Sequence, residues 1–446
     1  MFGFKRITQG TTEAGRRRRR TSWLIGTMVL AGGLVAAACG SGTPSAAKKT
    51  TSTTSSSKKN STATTAPSTT STTAAPSTTT TPTTAKPAAA STTPTTAKAS
   101  TTPATTATAP TAAPTANNAL GGSNDFNTPA ASLTGAGSTF DQPLFARQFY
   151  DYNKANSKVT VNYASVGSGT GETDILAGSV AFGASDVPEP AGTTGTGGAI
   201  LQIPVVLGGI AMAYNEPCLG AHTQLTGAQI TQIFAGKITD WHTIDASCAT
   251  GSNVVPVHRA DSSGTTNAFT HYMTAVDPTD WPAANAGKTS SGWVGGLGGN
   301  GNAGVAGDIA GTPGAVGYVE LAYALQSGLN YAAVQNAAGQ YVVPNEGSVA
   351  ADAADFPNVT PTNYLIVNGP GAGSYPISTY SWVIVYQKQA NTNNGIALGK
   401  MLHWMATTGQ SDAAAIGYVP LPASIQALAT STIMQMQSSS GAPLFS

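Results

Sequence analysis

Charge is what this 446-residue chain has least of: Asp, Glu, Lys and Arg together make up only 9% of it. The shortage is uneven. From Asp125 onward there are eight basic residues, Arg147, Lys154, Lys158, Lys237, Arg259, Lys288, Lys388 and Lys400, against nineteen acids, a net charge near −11. The overall +1 conceals this, because the leader and stalk are basic. A nucleic-acid binder needs a basic stripe, so nucleic acid is excluded as a partner. If an anion binds, one arginine and local backbone dipoles must capture it, not the field of the whole molecule. Histidine is scarce too: there are five, with no Cys/His ligand spacing, so no metal or other cofactor is expected. Only three cysteines occur. In an exported protein Cys218 and Cys248 read as one disulfide, with two free thiols as the alternative. Closing a loop of that size stabilises by roughly 3–4 kcal/mol on the chain-entropy account.

Long apolar runs are also missing. The longest, Trp23 to Ala38, is short for a permanent membrane span. It follows the basic run Arg16 to Arg20, so residues 1–38 read as an export signal. Cys39, directly after Ala36-Ala37-Ala38, resembles a bacterial lipoprotein cleavage box, in which the cysteine is acylated and anchors the chain to the membrane. The box prefers Leu where this chain has Ala36, and plain secretion is the alternative. The arginine run fits the twin-arginine route less well. Residues 39–124 are expected to be a disordered stalk, since Thr43 to Ala116 is almost all Thr, Ser, Ala and Pro and cannot bury a core. A flexible tether of this length reaches roughly 50 Å. Its composition is also that of O-glycosylated stalks.

The remaining residues, from Asp125 to Ser446, are too many for one ordinary core, so two domains are expected. One stretch concentrates chemistry: His258-Arg259-Ala260-Asp261-Ser262-Ser263-Gly264-Thr265-Thr266. Val254, Val255 and Val257 before it read as a strand, and Ala268 to Met273 after it as a helix. A helix N-terminus offers unpaired N–H groups and a positive dipole end to an oxyanion. Arg259 adds a planar fork of donors that Asp261 is placed to hold. Alone, this also fits a helix cap beside a surface ion pair. The pattern recurs, however. Gly135-Ala136-Gly137-Ser138-Thr139-Phe140 precedes a helix introduced by Asp141 and Pro143, with Leu144, Phe145, Phe149 and Tyr152 as its apolar face. Gly167-Ser168-Gly169-Thr170-Gly171 follows the alternating strand Val159, Val161, Tyr163 and leads into a helix. Neither matches a Walker or dinucleotide spacing. In an open α/β sheet such turns lie at the carboxyl ends of strands, where ligands bind.

Val180 to Asp186 reads as a buried strand ending in a carboxylate. Beside anion-binding turns Asp186 would repel a bare anion. It makes sense if the anion carries a proton: protonated phosphate can donate to Asp186, and sulfate cannot. The alternative is a cap for the turn at Pro188.

These segments, with Gly314-Ala315-Val316-Gly317-Tyr318-Val319-Glu320, resemble the phosphate-binding protein of the bacterial high-affinity phosphate ABC transporter. Leu225-Thr226, Ile233 to Trp241, Tyr375-Pro376-Ile377 and Tyr380-Ser381-Trp382 add to the likeness, which covers about Ala131 to Pro422. The resemblance implies an α/β, two-lobe periplasmic-binding-protein fold of the type II kind, with a ligand cleft between lobes and a two-strand hinge. It places residues 125–204 and 375–446 in lobe 1 and residues 205–374 in lobe 2. It implies phosphate ligands at Thr139, Phe140, Ser168, Asp186, Arg259, Ser263, Gly264 and Thr265, with Asp261 orienting the arginine. Gly301-Asn302-Ala303-Gly304-Val305, preceded by the glycine-rich Gly292 to Gly301, departs from the family's Gly-Asn-Glu-Gly-Val and is expected to lie outside the ligand shell. The loop Ala191 to Gly198 reads as lid edge or filler.

The function implied is binding of inorganic phosphate by cleft closure and delivery to a membrane permease. The protein would be a monomer at the extracytoplasmic face, tethered through Cys39. Arsenate, protonated much as phosphate is, and sulfate are alternative ligands. A phosphatase-like enzyme would need a nucleophile with a base in reach, for which Ser263 and His271 are the nearest pair. A drifted surface protein would have lost ligand positions that this chain keeps.

Overall fold

The computed structural model describes residues 119–290 and 292–446; the expected export signal, Cys39 and the stalk up to residue 118 lie outside the described residues. Leu120 is already buried, so core packing begins a few residues before Asp125. Lys400 then holds the entering chain, its Nζ 2.6 Å from Asp125 Oδ2 and 3.0 Å from the Asn127 carbonyl.

Strands and helices alternate at first: β1 (Ala131–Gly137), α1 (Gln142–Ala155), β2 (Val159–Ser165), α2 (Ser168–Leu176) and β3 (Phe182–Ser185). Leu144, Phe145 and Tyr152 face the core from α1, as their helical spacing requires. Gln148 shares that face, a place apolar periodicity does not reveal. Its Nε2 donates to the Met405 and Gly409 carbonyls at 3.2 and 3.0 Å, while its Oε1 has no protein partner. The stretch Ala191 to Gly198, read as lid edge or filler, contains β4 (Thr194–Gly195), which forms a hairpin with the start of β5 (Gly198–Asn215). At 18 residues, β5 is buried without a break from Ile203 to Tyr214, which explains the unbroken apolar sequence there.

The chain continues through β6 (Gln224–Leu225), α3 (Gly227–Phe234), β7 (Val255–Arg259), α4 (Gly264–Val276), β8 (Leu297–Gly299), α5 (Gly301–Gly311) and β9 (Ala315–Glu320). Then come α6 (Leu321–Gln326), β10 (Asn330–Tyr331), β11 (Ala333–Gln335), β12 (Tyr341–Val342), α7 (Glu346–Asp355), β13 (Ser378–Tyr386), α8 (Thr392–Ala406) and α9 (Ala423–Ile433). The main sheet runs β2-β1-β3-β13-β5-β9-β7-β8, with β4 and β10 added along β5. Strands β2, β1 and β3 are mutually parallel, and so are β9, β7 and β8. The antiparallel pair β13 and β5 joins the two parallel sets. The β13–β5 register shifts opposite Pro204, whose missing N–H interrupts the ladder.

One large apolar cluster extends from Leu133 through β5 and β13 to Phe445, and a smaller one centred on Val305 and Ile309 lies under α5. Cys218 and Cys248 are bonded, with Cα atoms 5.0 Å apart. No helix among the described residues is long and apolar enough to cross a membrane.

Candidate functional site

Both parallel sets aim the carboxyl ends of their strands at one place. Strand β1 ends into α1, β2 into α2 and β7 into α4, so three helix N-termini converge on it. This is the thrice-repeated strand, glycine-hydroxyl turn, helix pattern of the sequence. Glycine is required where α4 meets β3: a Cβ on Gly264 would lie 2.5 Å from the Asp186 Cβ.

Arg259 ends β7 with its side chain almost wholly buried. Its Nε donates to Asp261 Oδ1 at 2.7 Å and its Nη2 to Asp261 Oδ2, a bidentate clamp. Asp261 is held in turn by the Gly301 amide at 3.0 Å. Burial opposes charge on Asp261, but the Arg259 hydrogen bond and charge, with that amide, outweigh it and hold the carboxyl below its usual range. Three of the five guanidinium N–H groups remain uncommitted to Asp261, and Nη1 faces Thr265 Oγ1 at 3.4 Å.

Thr265 Oγ1 donates onward to Asp186 Oδ2 at 3.2 Å, and Ser138 Oγ donates to Asp186 Oδ1 at 2.6 Å. Asp186 therefore does not cap the turn at Pro188; Ser185 does, accepting from the Val187 amide at 3.0 Å. Burial raises the Asp186 pKa, and the Ser138 and Ser381 hydroxyls, the Arg259 charge and Thr265 pull it back without cancelling the rise. Ser168 Oγ joins the two sides of the site, accepting from the Gly264 amide at 3.1 Å and the Asp186 amide at 3.4 Å. The Phe140 amide donates to Ser138 Oγ at 3.0 Å.

So Ser168, Asp186, Arg259, Gly264 and Thr265 form one hydrogen-bonded network, and Phe140 joins it through Ser138. Ser263 stands slightly apart: its hydroxyl is the N-cap of α4, accepting from the Thr266 amide at 3.1 Å. Thr139 Oγ1 accepts from both the amide and the side chain of Asn302 at 3.0 Å each. Gly301 to Val305, expected to lie outside the ligand shell, form the start of α5 and touch residues of the expected site. Gly301 and Asn302 directly support Asp261 and Thr139, and Asn302 is fully buried. Sequence reasoning also passed over Ser138, Tyr318, which accepts from the Arg259 amide at 3.1 Å, and Ser381. Ser138 sits in the recognised turn, so the signal was present. Tyr318 and Ser381 arrive from distant strands; both lie in stretches that carry the family likeness, but nothing in the sequence assigned either a role at the site. A cavity of about 470 Å³ adjoins the network, lined by Thr139, Val166, Asp261, Gly301 and Tyr323 among others.

His271 packs against Gly287, where burial lowers its pKa, while Ser263 faces the Thr266 amide. The nucleophile–base pair an enzyme would need is not assembled from them.

Residues 63–408 match the PBP superfamily domain. The phosphate-binding protein PstS of Xylella fastidiosa is 35% identical over 327 residues, spanning 69% of this chain and 88% of that protein. The chain belongs to the PstS phosphate-binding protein family. PstS of Haemophilus influenzae is 34% identical over 305 residues, covering 66% of this chain and 90% of that protein. These PstS relatives are named as binding proteins, not enzymes. Among solved structures, the phosphate-binding protein of Stenotrophomonas maltophilia superposes with a TM-score of 0.55 at 22% identity, over 68% of this chain and 94% of that one. A high-affinity periplasmic phosphate-binding protein solved with bound phosphate gives 0.56 at 23%, over 68% and 93%. The PstS-family chain thus has the α/β periplasmic-binding-protein fold expected from its motifs.

Proposed function

We propose that the protein binds inorganic phosphate with high affinity between two lobes, residues 125–204 with 375–446 and residues 205–374, and hands it to the membrane permease of an ABC transporter. One observation carries this. A buried guanidinium and a buried carboxylate, Arg259 and Asp186, share the hydroxyl of Thr265 where three helix N-termini converge. The guanidinium and helix ends favour an oxyanion, and Asp186 favours one that carries a proton. The ligand set is Thr139, Phe140, Ser168, Asp186, Arg259, Ser263, Gly264 and Thr265, with Asp261 holding the arginine. Export, a lipid at Cys39 and the Thr/Ser/Pro stalk would place a monomeric domain at a distance outside the membrane, stapled by Cys218–Cys248.

Calorimetric titration of ligand-stripped protein at neutral pH tests the reading. Micromolar or tighter phosphate binding, about −8 kcal/mol or better, is expected, with sulfate silent. Arg259→Ala should weaken phosphate binding by several kcal/mol, because a desolvated, charged donor is lost. Normal binding by that variant would remove the site from this place.

A further inference from the structure

Asp141 follows the first anion-binding turn and is fully buried. It occupies the N-cap position of α1 without capping it, since its carboxyl accepts no bond from that helix. Instead it faces inward. Its Oδ2 is 2.9 Å from the Ser381 hydroxyl on β13, and its Oδ1 has no protein partner. Ser381, also fully buried, is brought beside Asp186 too, because β13 pairs with β3 at Trp382 and Ser185, and its hydroxyl helps to pull the Asp186 pKa down.

The groups facing Asp141 come from every element packed around it. Asp186 is at the end of β3. Glu320, at the end of β9, is fully buried, with Oε2 on the Ala322 amide at 2.7 Å and Oε1 without a protein partner. Tyr163 on β2, Tyr323 on α6 and Tyr418 ahead of α9 donate to the Ser138, Thr139 and Phe140 carbonyls of the turn that leads to Asp141, near enough for its charge to act on each of them. The cation of this region is Arg259, already clamped by Asp261. Ionising every carboxyl would set three buried negative charges, with half-buried Asp261 as a fourth, against one positive, and buried charge without a partner is strongly disfavoured. Burial and the charge of Asp186 hold Asp141 protonated well above the usual carboxylate range, against the pull of Ser381. Burial does the same for Glu320.

We propose that Asp141 is a specificity-determining positioning residue: the proton it holds turns the Ser381 hydroxyl toward Asp186 and keeps Asp186 a charged acceptor for a protonated oxyanion. The inference rests on the phosphate reading of the site. With its proton on Oδ2, Asp141 donates to Ser381 Oγ, and Ser381 donates to Asp186. When Asp141 loses that proton, Ser381 is drawn back and a new negative charge stands behind the ligand. Binding of the phosphate dianion then weakens on the alkaline side, although phosphate itself keeps the same ionisation there.

The test is phosphate titration of the whole protein and of Asp141→Asn from about pH 6 to about pH 10, in buffers of differing ionisation heat. The wild type should lose affinity as Asp141 titrates, by up to about tenfold per pH unit, and take up protons on binding along that alkaline arm. Asp141→Asn, whose amide donates to Ser381 at every pH, should lose both the slope and the proton uptake. Identical profiles for the two proteins would overturn the proposal and leave the phosphate site standing. Absence of phosphate binding by the wild type at any pH would instead sink the site reading itself. Should Asp141→Asn fail to fold, Ser381→Ala carries the test: it breaks the link and keeps Asp141, so its alkaline loss of affinity must shrink. An unchanged loss would overturn the proposal.

Discussion

On the proposed phosphate reading, selectivity turns on Asp186. Its oxygens accept from Ser138 and Thr265, and the positive charge acting on it is that of Arg259. A ligand oxygen without a proton would meet only acceptors there. Asp186→Asn should therefore admit sulfate, because the amide donates as well as accepts. Competitive titration with both anions measures this, and a sulfate affinity still too weak to detect would remove the proton-reading role. Arg259 depends on its neighbours more than its own sequence position suggests. Asp261 engages two of its donors, and Gly301, forty residues on, fixes Asp261.

At the scale of elements, α7 and the segment returning to β13 form a unit of their own. The Asp352 carboxyl on α7 accepts the Gly369 amide at 3.0 Å, and Asp355 accepts the Gly371 amide at 2.8 Å and the Ser374 hydroxyl at 2.7 Å. Burial pushes Asp352 up from 3.8 to about 8, opposed by Ser378 and Gly369 and aided by the charge of Asp355. The folded protein thus keeps a proton up to about pH 8 that the unfolded chain releases near 3.8. Between those values the folded state binds more protons, so stability falls as pH rises, by at most about 1.4 kcal/mol per unit, and levels off above the upper one. Asp352→Asn keeps an acceptor for Gly369 and should remove that part of the slope. Denaturant unfolding across the window decides it: equal slopes in variant and wild type would mean that Asp352 ionises normally.

In chain order, the strongly acidic part from Asp125 onward follows a basic part. If Cys39 carries the anchor, Cys39→Ser should shift the protein from the membrane fraction to the medium in the cells that make it. A protein that stays with the membrane would point to another attachment. The Cys218–Cys248 bond closes a separation of 30 residues. Its loss in Cys218→Ser with Cys248→Ser should cost roughly 3–4 kcal/mol in denaturant unfolding. An unchanged unfolding midpoint would show that the pair contributes nothing to the folded state.

Local order set much of this protein in advance. Strand, glycine-hydroxyl turn and helix follow one another within a dozen residues, so β1–α1, β2–α2 and β7–α4 could be read directly, together with Arg259 and its neighbour Asp261. Alternation marked β2, and the unbroken apolar run in β5 accompanies burial on both faces. What the sequence could not show is pairing across distance. Ser168 meets Gly264, Thr139 meets Asn302, and Ser381 meets Asp141 only because β13 and β5 join the two parallel sets. Asp141 is the clearest case. At its position an aspartate reads as a helix cap, a local and solvent-facing role. Its packing against Ser381 of β13 and its complete burial, which no neighbour in sequence records, make it a place to hold a proton.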